Sequence, residues 1–582
     1  MNNKTTHIIL LLLLAFFKGM CADQPDIPNE RYQLITDRTI YAAGEKILFR
    51  ALNISPAAMK TAEWSRVLYL ELMDATHVAV ARGKYITGKS GSSGILVIPS
   101  TLQTGNYYLR AYTRWMRNYP PEEYASVGLV IINTQNPPAR SGQQINHINS
   151  PVVSREAVSG NYLSRSQGIF GIKTDRDEYP QRSKVSLEID IPVGTNPSIM
   201  EYSISVIPDL ALEPRAYFPG NQEFSTFSGG SARFYPETRG ITLSGRVMKN
   251  GRQEPCVFSV VHSSIIDIGS GYAGSRTNDL GEFHIVLPEM YGLLNLFIAT
   301  EAENGEILID NDYSTDHAGS VAAYYLPENE RELATVIMFG AQVNDAYDPV
   351  PVPADTTPVS NSATTEKERN SFYGPPMKTI RIDDYVALPT LEEFIAELLP
   401  EINIQRKKGE TSIYLGGMHP DLALYPPLIL YDYIPVFDLE EFLKLTPEVV
   451  KRIELVNATF TRGDLTFGGI VSVFSRRGDF SGYQLSGASY FFDFEAYYDT
   501  MLPDCPDYSE GKGDLHMPDY RNTLFWEPII PVEPGKKETF EFYTSDRPGE
   551  YSIVIRGVSP EGEILTGETS FRISTAYPSG AL

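Results

Sequence analysis

The stretch from Thr36 to Arg50 reads TDRTIYAAGEKILFR. A tyrosine is followed by a turn at Gly44-Glu45 and then by an alternating run, which is the pattern of a half-buried strand entered from a tight turn. Further short strands, divided by turn residues, are predicted at 68–74, 94–99 and 105–113. Because such regular spacing is typical of an antiparallel β-sandwich, we predict one over residues 31–133.

This opening stretch is repeated within the chain. Residues 174–185 read TDRDEYPQRSKV, and the alternation continues through Ser186 to Ile191. The echo predicts a second sandwich over 168–212, separated from the first by a segment at 134–166 rich in Asn, Gln, Ser and Pro.

The two stretches resemble the opening of the MG2 domain of α2-macroglobulin-like proteins. In that family a tyrosine, a Gly-Glu turn and an alternating strand begin a β-sandwich. A protease-trapping member also needs a thioester element of the Cys-Gly-Glu-Gln type. None of the three cysteines, Cys21, Cys256 and Cys505, is followed by Gly, so the sequence does not predict a thioester.

A third module is predicted over 239–305. Residues 239–247 and 277–285 resemble the paired signals of the carboxypeptidase-regulatory-like sandwich, with Gly281 at a turn that needs a permissive backbone. The alternative prediction is that its strands continue to about Phe339.

The remaining sandwich is predicted at the C-terminal end. Alternating runs at 521–528, 538–544 and 549–558 predict it over 520–575. Residues 345–373 are rich in Pro, Thr, Asp, Ser and Asn, which predicts a flexible linker.

A different pattern occupies residues 378–480. The apolar run PPLILYDYIPV at 426–436 is followed by VKRIELV at 450–456 and GGIVSVF at 468–474, with a helical pattern at 438–445 between the first two. Short β-branched runs bounded by Gly, Pro and charged residues are typical of buried strands. The order of the three runs resembles the plug domain of TonB-dependent outer-membrane receptors, which implies a small α/β domain. Only 102 residues (582 − 480) follow, so no membrane barrel is predicted.

The N-terminus predicts export. Residues 1–22 combine Lys4 with an apolar run from Ile8 to Phe17, which is a secretory signal and too short to span a bilayer. Cleavage near Cys21 or Ala22 is expected, and lipidation of Cys21 is the alternative. No transmembrane segment is expected in the mature chain. The net charge of −24 disfavours nucleic-acid binding.

Two groups of residues are candidate partner-binding sites. Within the plug-like region these are the charged residues Arg452, Glu454, Arg476 and Arg477, for which solvated surface charge is the alternative. The second group is an aromatic cluster containing Tyr490, Phe491 and Phe492. We expect that cluster to pack between the plug-like and C-terminal domains. The motifs predict no catalytic residue, metal site or cofactor.

Together these patterns predict a mainly β protein, with tandem macroglobulin-like or Ig-like sandwiches and one small α/β plug-like domain. The modules resemble exported multidomain proteins of the Bacteroidota type. The resemblance implies a non-enzymatic accessory or scaffold protein at the outer membrane, or in the periplasm, that binds outer-membrane or periplasmic proteins. A β-barrel is one candidate partner. The alternatives are a plug or gating subunit of a separate TonB-dependent barrel and a macroglobulin-like protease-binding protein.

Overall fold

The structure is a computed structural model. It describes residues 29–55, 64–136, 164–165, 170–192, 201–209, 232–249, 251–266, 271–318, 331–347, 371–407, 409–417, 420–485, 488–498, 505–509, 516–533, 535–559 and 564–575. The predicted signal peptide with Cys21, and residues 348–370 of the predicted linker, lie outside this part of the chain.

Strands dominate the described residues, so the predicted mainly β class is confirmed. The first strands are β1 (Tyr32–Thr36), β2 (Ile40–Ala42), β3 (Lys46–Asn53), β4 (Val67–Met73), β5 (Ala79–Ile86), β6 (Gly91–Val97), β7 (Gly105–Tyr112) and β8 (Ala125–Ile132). They are followed by β9 (Ser164–Arg165), β10 (Gly171–Thr174), β11 (Glu178–Pro180), β12 (Lys184–Asp190) and β13 (Glu201–Pro208).

The middle of the chain contains β14 (Thr242–Lys249), β15 (Glu254–Pro255), β16 (Val260–Ile265), β17 (Gly271–Arg276), β18 (Glu282–Val286), β19 (Leu293–Thr300), β20 (Glu306–Ile309) and helix α1 (Arg331–Tyr347). Next come β21 (Lys378–Arg381), α2 (Leu391–Leu398), β22 (Ile402–Lys407), β23 (Glu410–Leu415), β24 (Leu428–Tyr431), β25 (Ile434–Pro435) and α3 (Leu439–Leu443). The rest are β26 (Val450–Val456), β27 (Phe460–Arg462), β28 (Leu465–Phe467), β29 (Ile470–Ser475), β30 (Ser489–Glu495), β31 (Phe525–Pro531), β32 (Lys537–Tyr543), β33 (Gly549–Val558) and β34 (Ile564–Ser574).

These elements form two compact units. Of the described residues, those within Met1–Thr238, Ser314–Pro351 and Asp499–Leu582 form unit 1, and those within Arg239–Tyr313 and Val352–Tyr498 form unit 2.

The first sandwich of unit 1 has sheets ordered β1-β3-β6 and β2-β8-β7-β4-β5. The edge-to-face contact between Phe49 and Tyr85, with ring centroids 4.8 Å apart, joins the two sheets in its core. Helix α1 covers the β2 and β8 end through Ala334, Ile337 and Met338. Residues 331–347 are therefore helical, which corrects both the suggested extension of the third module's strands to Phe339 and the start of the linker at 345.

The second sandwich corrects the predicted domain boundaries. Segments 168–212 and 520–575 were predicted as separate sandwiches, but their strands form one domain with sheets β10-β12-β32 and β11-β34-β33-β13-β31. Strand β13 lies between β31 and β33, and β12 pairs with β32 along its whole length. Neither segment supplies enough strands to cover a core alone, and pairing between distant segments leaves no mark in local periodicity.

In unit 2, the third module has sheets β15-β14-β18 and β17-β16-β19-β30, with β20 also paired to β14. It therefore extends beyond residue 305 to include β20 and the distant β30. Strand β30 carries Tyr490, Phe491 and Phe492 and pairs with β19 along Leu293–Ala299. The expectation that this aromatic cluster packs between the plug-like and C-terminal domains is wrong, because it is an integral strand of the third module.

The α/β domain at 371–485 contains a mixed sheet ordered β21-β26-β29-β24-β25. Along β24, Ile429 and Tyr431 face the domain's own core, whereas Leu428 and Leu430 pack with Val260 and Tyr272 of the third module. Both faces of this strand are buried, which explains its continuous apolar run. Phe372 and Tyr373, at the end of the predicted linker, pack against the same second cluster.

We predict that Leu430→Ala lowers the free energy of unfolding by about 3 kcal/mol, because it opens a cavity where the α/β sheet meets the third module. Leu430 is 0% exposed and Leu424 is 71% exposed, so Leu424→Ala is the matched control. Its expected effect is below about 0.5 kcal/mol. Urea unfolding followed by tyrosine and tryptophan fluorescence measures both changes. Equal effects of the two substitutions would contradict this packing.

Candidate functional site

The structure pairs the predicted charged residues within the α/β domain. Arg452 Nε donates to Glu454 Oε1 at 2.7 Å, and the guanidinium lies 3.7 Å from the centroid of the Phe474 ring. The Tyr373 hydroxyl donates to the other Glu454 oxygen at 2.6 Å. Both charged side chains are therefore paired within the domain. Together they link strand β26 to Tyr373, in the segment that precedes β21.

The two following arginines differ in exposure. Arg476 forms an ion pair with Asp383 at 2.6 Å and donates to the Glu448 carbonyl at 2.6 Å. Arg477 is 80% exposed and pairs with Asp479 at 3.0 Å. Of the four predicted charges, Arg477 is therefore the most accessible to a partner.

The aromatic residues of β30 lie in the third module. Tyr490 and Phe491 are 38% and 37% exposed. Phe491 stacks on Phe480, with centroids 6.0 Å apart, and contacts Phe297 at 5.2 Å. Phe492 contacts Tyr490 at 5.9 Å. These rings line one strand and its junction with the α/β domain, apart from the Arg452–Glu454 pair.

The repeated sequence motif forms a second candidate site, whose role sequence analysis missed. In the first copy, the Asp37 amide donates to the Leu48 carbonyl at 3.0 Å, and the Leu48 amide donates to Asp37 Oδ1 at 3.1 Å. The Tyr41 hydroxyl donates to the same carboxylate oxygen at 2.6 Å. The aspartate therefore closes the turn by linking a strand to the tyrosine four residues later.

The second copy repeats this geometry. The Asp175 amide donates to the Ser186 carbonyl at 3.0 Å, and the Ser186 amide donates to Asp175 Oδ1 at 2.8 Å. The Tyr179 hydroxyl also donates to that oxygen, at 2.8 Å. Even the turn is equivalent, since Gly44 has φ +95° and Arg182, at the matching position, has φ +52°. The sequence echo is thus a true structural repeat.

The surroundings of the two copies differ. In the first copy, Asp37 Oδ2 accepts from the Thr523 hydroxyl at 2.5 Å, and Glu45 accepts from the Asn522 amide at 2.7 Å. Arg38 forms an ion pair with Glu45 at 3.0 Å. Asn522 and Thr523 belong to the second sandwich, so the first copy docks one sandwich on the next.

In the second copy, the corresponding loop is at the surface. The Asp175 side chain is 42% exposed and that of Arg176 is 66% exposed, whereas those of Asp37 and Arg38 are 1% and 4% exposed. The Arg176 guanidinium lies 3.7 Å from Asp175 Oδ2. The same local fold is therefore buried at a domain joint in the first copy and exposed to solvent in the second.

The pKa values of the two aspartates are shifted in opposite directions. Burial raises the pKa of Asp37, although Arg38, Thr523 and Tyr41 act in the opposite direction. Burial also acts to raise the pKa of Asp175, but hydrogen bonds from Ser186 and Tyr179 outweigh it and lower that pKa. The exposed copy thus keeps its charge at a more acidic pH.

The described residues contain no group of three or more His, Cys, Asp or Glu side chains arranged to hold a metal ion. Within the same ranges, every helix is too short or too polar to cross a membrane.

We predict that Tyr41→Phe costs more than Tyr179→Phe. The first change removes one of the hydrogen-bond donors to the buried Asp37 carboxylate, where water cannot take its place, at a cost of about 2 kcal/mol. In the second, water replaces the lost donor at the exposed Asp175, so the cost stays below about 1 kcal/mol. Chemical denaturation of both variants measures the difference. A larger loss for Tyr179→Phe would contradict the different burial of the two copies.

The lowered pKa of Asp175 also predicts a pH dependence. An aspartate with a depressed folded-state pKa contributes stability that is fully present above its unfolded value, and this contribution is lost as the pH falls through the folded value. Asp175→Asn removes this contribution. In thermal unfolding across pH, we therefore expect the variant's melting temperature to lie below that of the wild type at pH 6 and to converge with it as the pH falls through the folded-state pKa of Asp175. A constant difference would contradict the charge-based origin.

No protein-family model matches the chain, and no curated protein matches it. Among solved structures, it is similar to a Salmonella α-2-macroglobulin mutant, at 9% identity and a TM-score of 0.22 over 94% of this chain and 39% of that one. Trypsin-activated α-2-macroglobulin from Escherichia coli matches at 8% identity and a TM-score of 0.22, over 94% of this chain and 41% of that one. The Yersinia pseudotuberculosis adhesin InvE matches at 10% identity and a TM-score of 0.13, over 72% of this chain and 85% of that one. The chain thus spans about two-fifths of the length of the macroglobulins that it matches.

Proposed function

We propose that the protein is a non-enzymatic, exported scaffold that acts as an accessory subunit at the outer membrane. In this proposal its partners are outer-membrane or periplasmic proteins, which bind to the α/β domain and to the sandwiches. The proposal rests on how the modules are joined, since a scaffold must hold its binding surfaces at fixed positions.

The buried joint between the two sandwiches of unit 1 is the observation that carries this proposal. Ile35, Leu48, Leu52, Trp526 and Val558 form its apolar part. Its polar part combines the contacts of Asn522 and Thr523 with an ion pair between Arg50 and Glu201, at 2.7 Å. Because separating the sandwiches would expose the apolar cluster and strip buried charges of their partners, the two behave as one rigid body.

The α/β domain is similarly fixed within unit 2. The Ser264 hydroxyl donates to the Tyr433 carbonyl at 2.8 Å, and the Arg276 amide donates to Asp464 at 3.0 Å. Both contacts lie beside the apolar cluster that covers one face of the α/β sheet. A plug domain inside a separate barrel is surrounded by the barrel wall. In this protein, the third module instead covers one face of the α/β sheet. This arrangement favours the scaffold over the plug alternative.

The α/β domain also presents apolar side chains to solvent. Val386, Leu424 and Met377 are 84%, 71% and 68% exposed, which are the highest values among the large apolar residues that the structure describes. Exposed apolar side chains supply contact area for a protein partner. We therefore assign the principal partner surface of the proposed scaffold to this domain.

The test is affinity purification of the tagged full-length protein from its native envelope in mild detergent, with partners identified by mass spectrometry. Deleting 378–480 would uncover the third module's apolar face, so the double substitution Val386→Asp and Leu424→Asp is used instead. We expect it to reduce recovery of an outer-membrane or periplasmic partner about tenfold, because it places charges in the binding surface.

Leu280→Asp is the matched control, since Leu280 is 63% exposed and belongs to the third module. It is expected to keep the partner. Unchanged recovery with the double variant would move the binding role to the sandwiches. Recovery of no partner by the unmodified protein, or turnover of a substrate by it, would overturn the proposal.

A further inference from the structure

The exposed copy of the repeated motif differs from the docked copy in what surrounds it, not in its own geometry. In the docked copy, Asp37 uses Oδ1 for its own turn and Oδ2 for Thr523 of the next sandwich. In the exposed copy, Asp175 uses Oδ1 in the same way, for Tyr179 and Ser186. Its Oδ2 lies 3.7 Å from the Arg176 guanidinium, and the Asp175 side chain is 42% exposed.

We propose that the loop formed by Asp175, Arg176 and Asp177 is a docking surface for a β-sandwich module of another protein. The inference rests on the proposed scaffold function and names one of the surfaces that such a scaffold uses. The incoming module contacts this loop through a loop of its own, as the loop with Asn522 and Thr523 contacts the first copy within this chain.

The differences between the copies specify the chemistry of the partner. A hydroxyl group of the partner donates to Asp175 Oδ2, as the Thr523 hydroxyl donates to Asp37 Oδ2. In the docked copy, Glu45 supplies the carboxylate for Arg38, but Ser183 stands at the equivalent position of the exposed copy. The Ser183 hydroxyl donates to the Pro180 carbonyl at 2.7 Å, within its own turn.

Arg176 therefore requires a carboxylate from the partner. We infer that the partner presents a Ser or Thr beside an Asp or Glu in a loop at the end of a β-sandwich. This pair satisfies the charges of Asp175 and Arg176 when water is excluded from them, which an isolated hydroxyl or carboxylate does not achieve.

The neighbouring backbone keeps the loop in place for such an encounter. The Arg572 amide donates to the Asp177 carbonyl at 2.9 Å, where β11 runs parallel to β34. The side chain of Arg572 is 65% exposed and lies 3.7 Å from Glu550. The docking surface thus has a fixed backbone and a charged rim, and little ordering is required on binding.

Site-specific photo-crosslinking tests the proposal in the full-length protein within its native envelope. A photoreactive phenylalanine derivative replaces Asp177, whose backbone carbonyl bond to Arg572 does not involve its side chain. The crosslinked peptides are sequenced to locate the residue captured. We expect capture in a β-sandwich loop of another protein that pairs a Ser or Thr with an Asp or Glu.

Two variants make the test specific. Arg176→Glu is expected to reduce the crosslink about tenfold, because it places a carboxylate opposite the carboxylate of the partner. It is expected to leave thermal unfolding unchanged. Arg252→Glu is the control, since the Arg252 side chain is 64% exposed and lies in the third module. It is expected to leave the crosslink unchanged.

The proposal is overturned by the absence of a crosslink, by capture of a second copy of this chain or of a residue outside such a loop, or by a crosslink that Arg176→Glu leaves intact. If the crosslink fails in one of these ways while affinity purification still recovers a partner that the Val386→Asp and Leu424→Asp variant loses, the scaffold function stands and this surface alone is rejected.

Discussion

The Asp37 carboxylate is the group on which unit 1 depends. It closes its own turn through Leu48 and Tyr41 and accepts from Thr523, which lies 486 positions away in the chain. A carboxylate buried to this degree is tolerated only when its hydrogen-bonding capacity is filled. One side chain therefore makes the fold of the first sandwich and its attachment to the second mutually dependent.

The local part of this arrangement was predicted from the sequence. The repeat at Thr174 and the turn before Lys46 are visible because strand alternation and turn residues are local signals. The role of Thr523 was not visible, since a threonine ahead of a strand has no pattern that names a partner so far away. The same reason explains the missed pairing of β12 with β32 and of β19 with β30.

The α/β domain shows a similar division. Its apolar runs were identified as buried strands from composition alone, and Asp438 caps the short helix α3 by accepting from the Glu441 amide at 3.0 Å. The sequence did not predict that the second face of β24 packs against another module. A strand buried on both faces has the same continuous apolar pattern whichever part of the protein covers it. Arg452 and Glu454 were named as candidates but pair with each other, since charges two positions apart on a strand share one face.

The composite second sandwich also constrains when this protein acquires its fold. Strands β10 to β13 end at Pro208, and their partners begin at Phe525, so more than half of the chain is synthesised between the two halves. Until the late strands arrive, β12 and β13 have unsatisfied ladder edges and an uncovered apolar face, as nascent β-rich chains do while they wait for distant partners. Strands β31 to β34 thus complete a domain begun at β10, and a chain that stops before them cannot bury Asp37 at its joint.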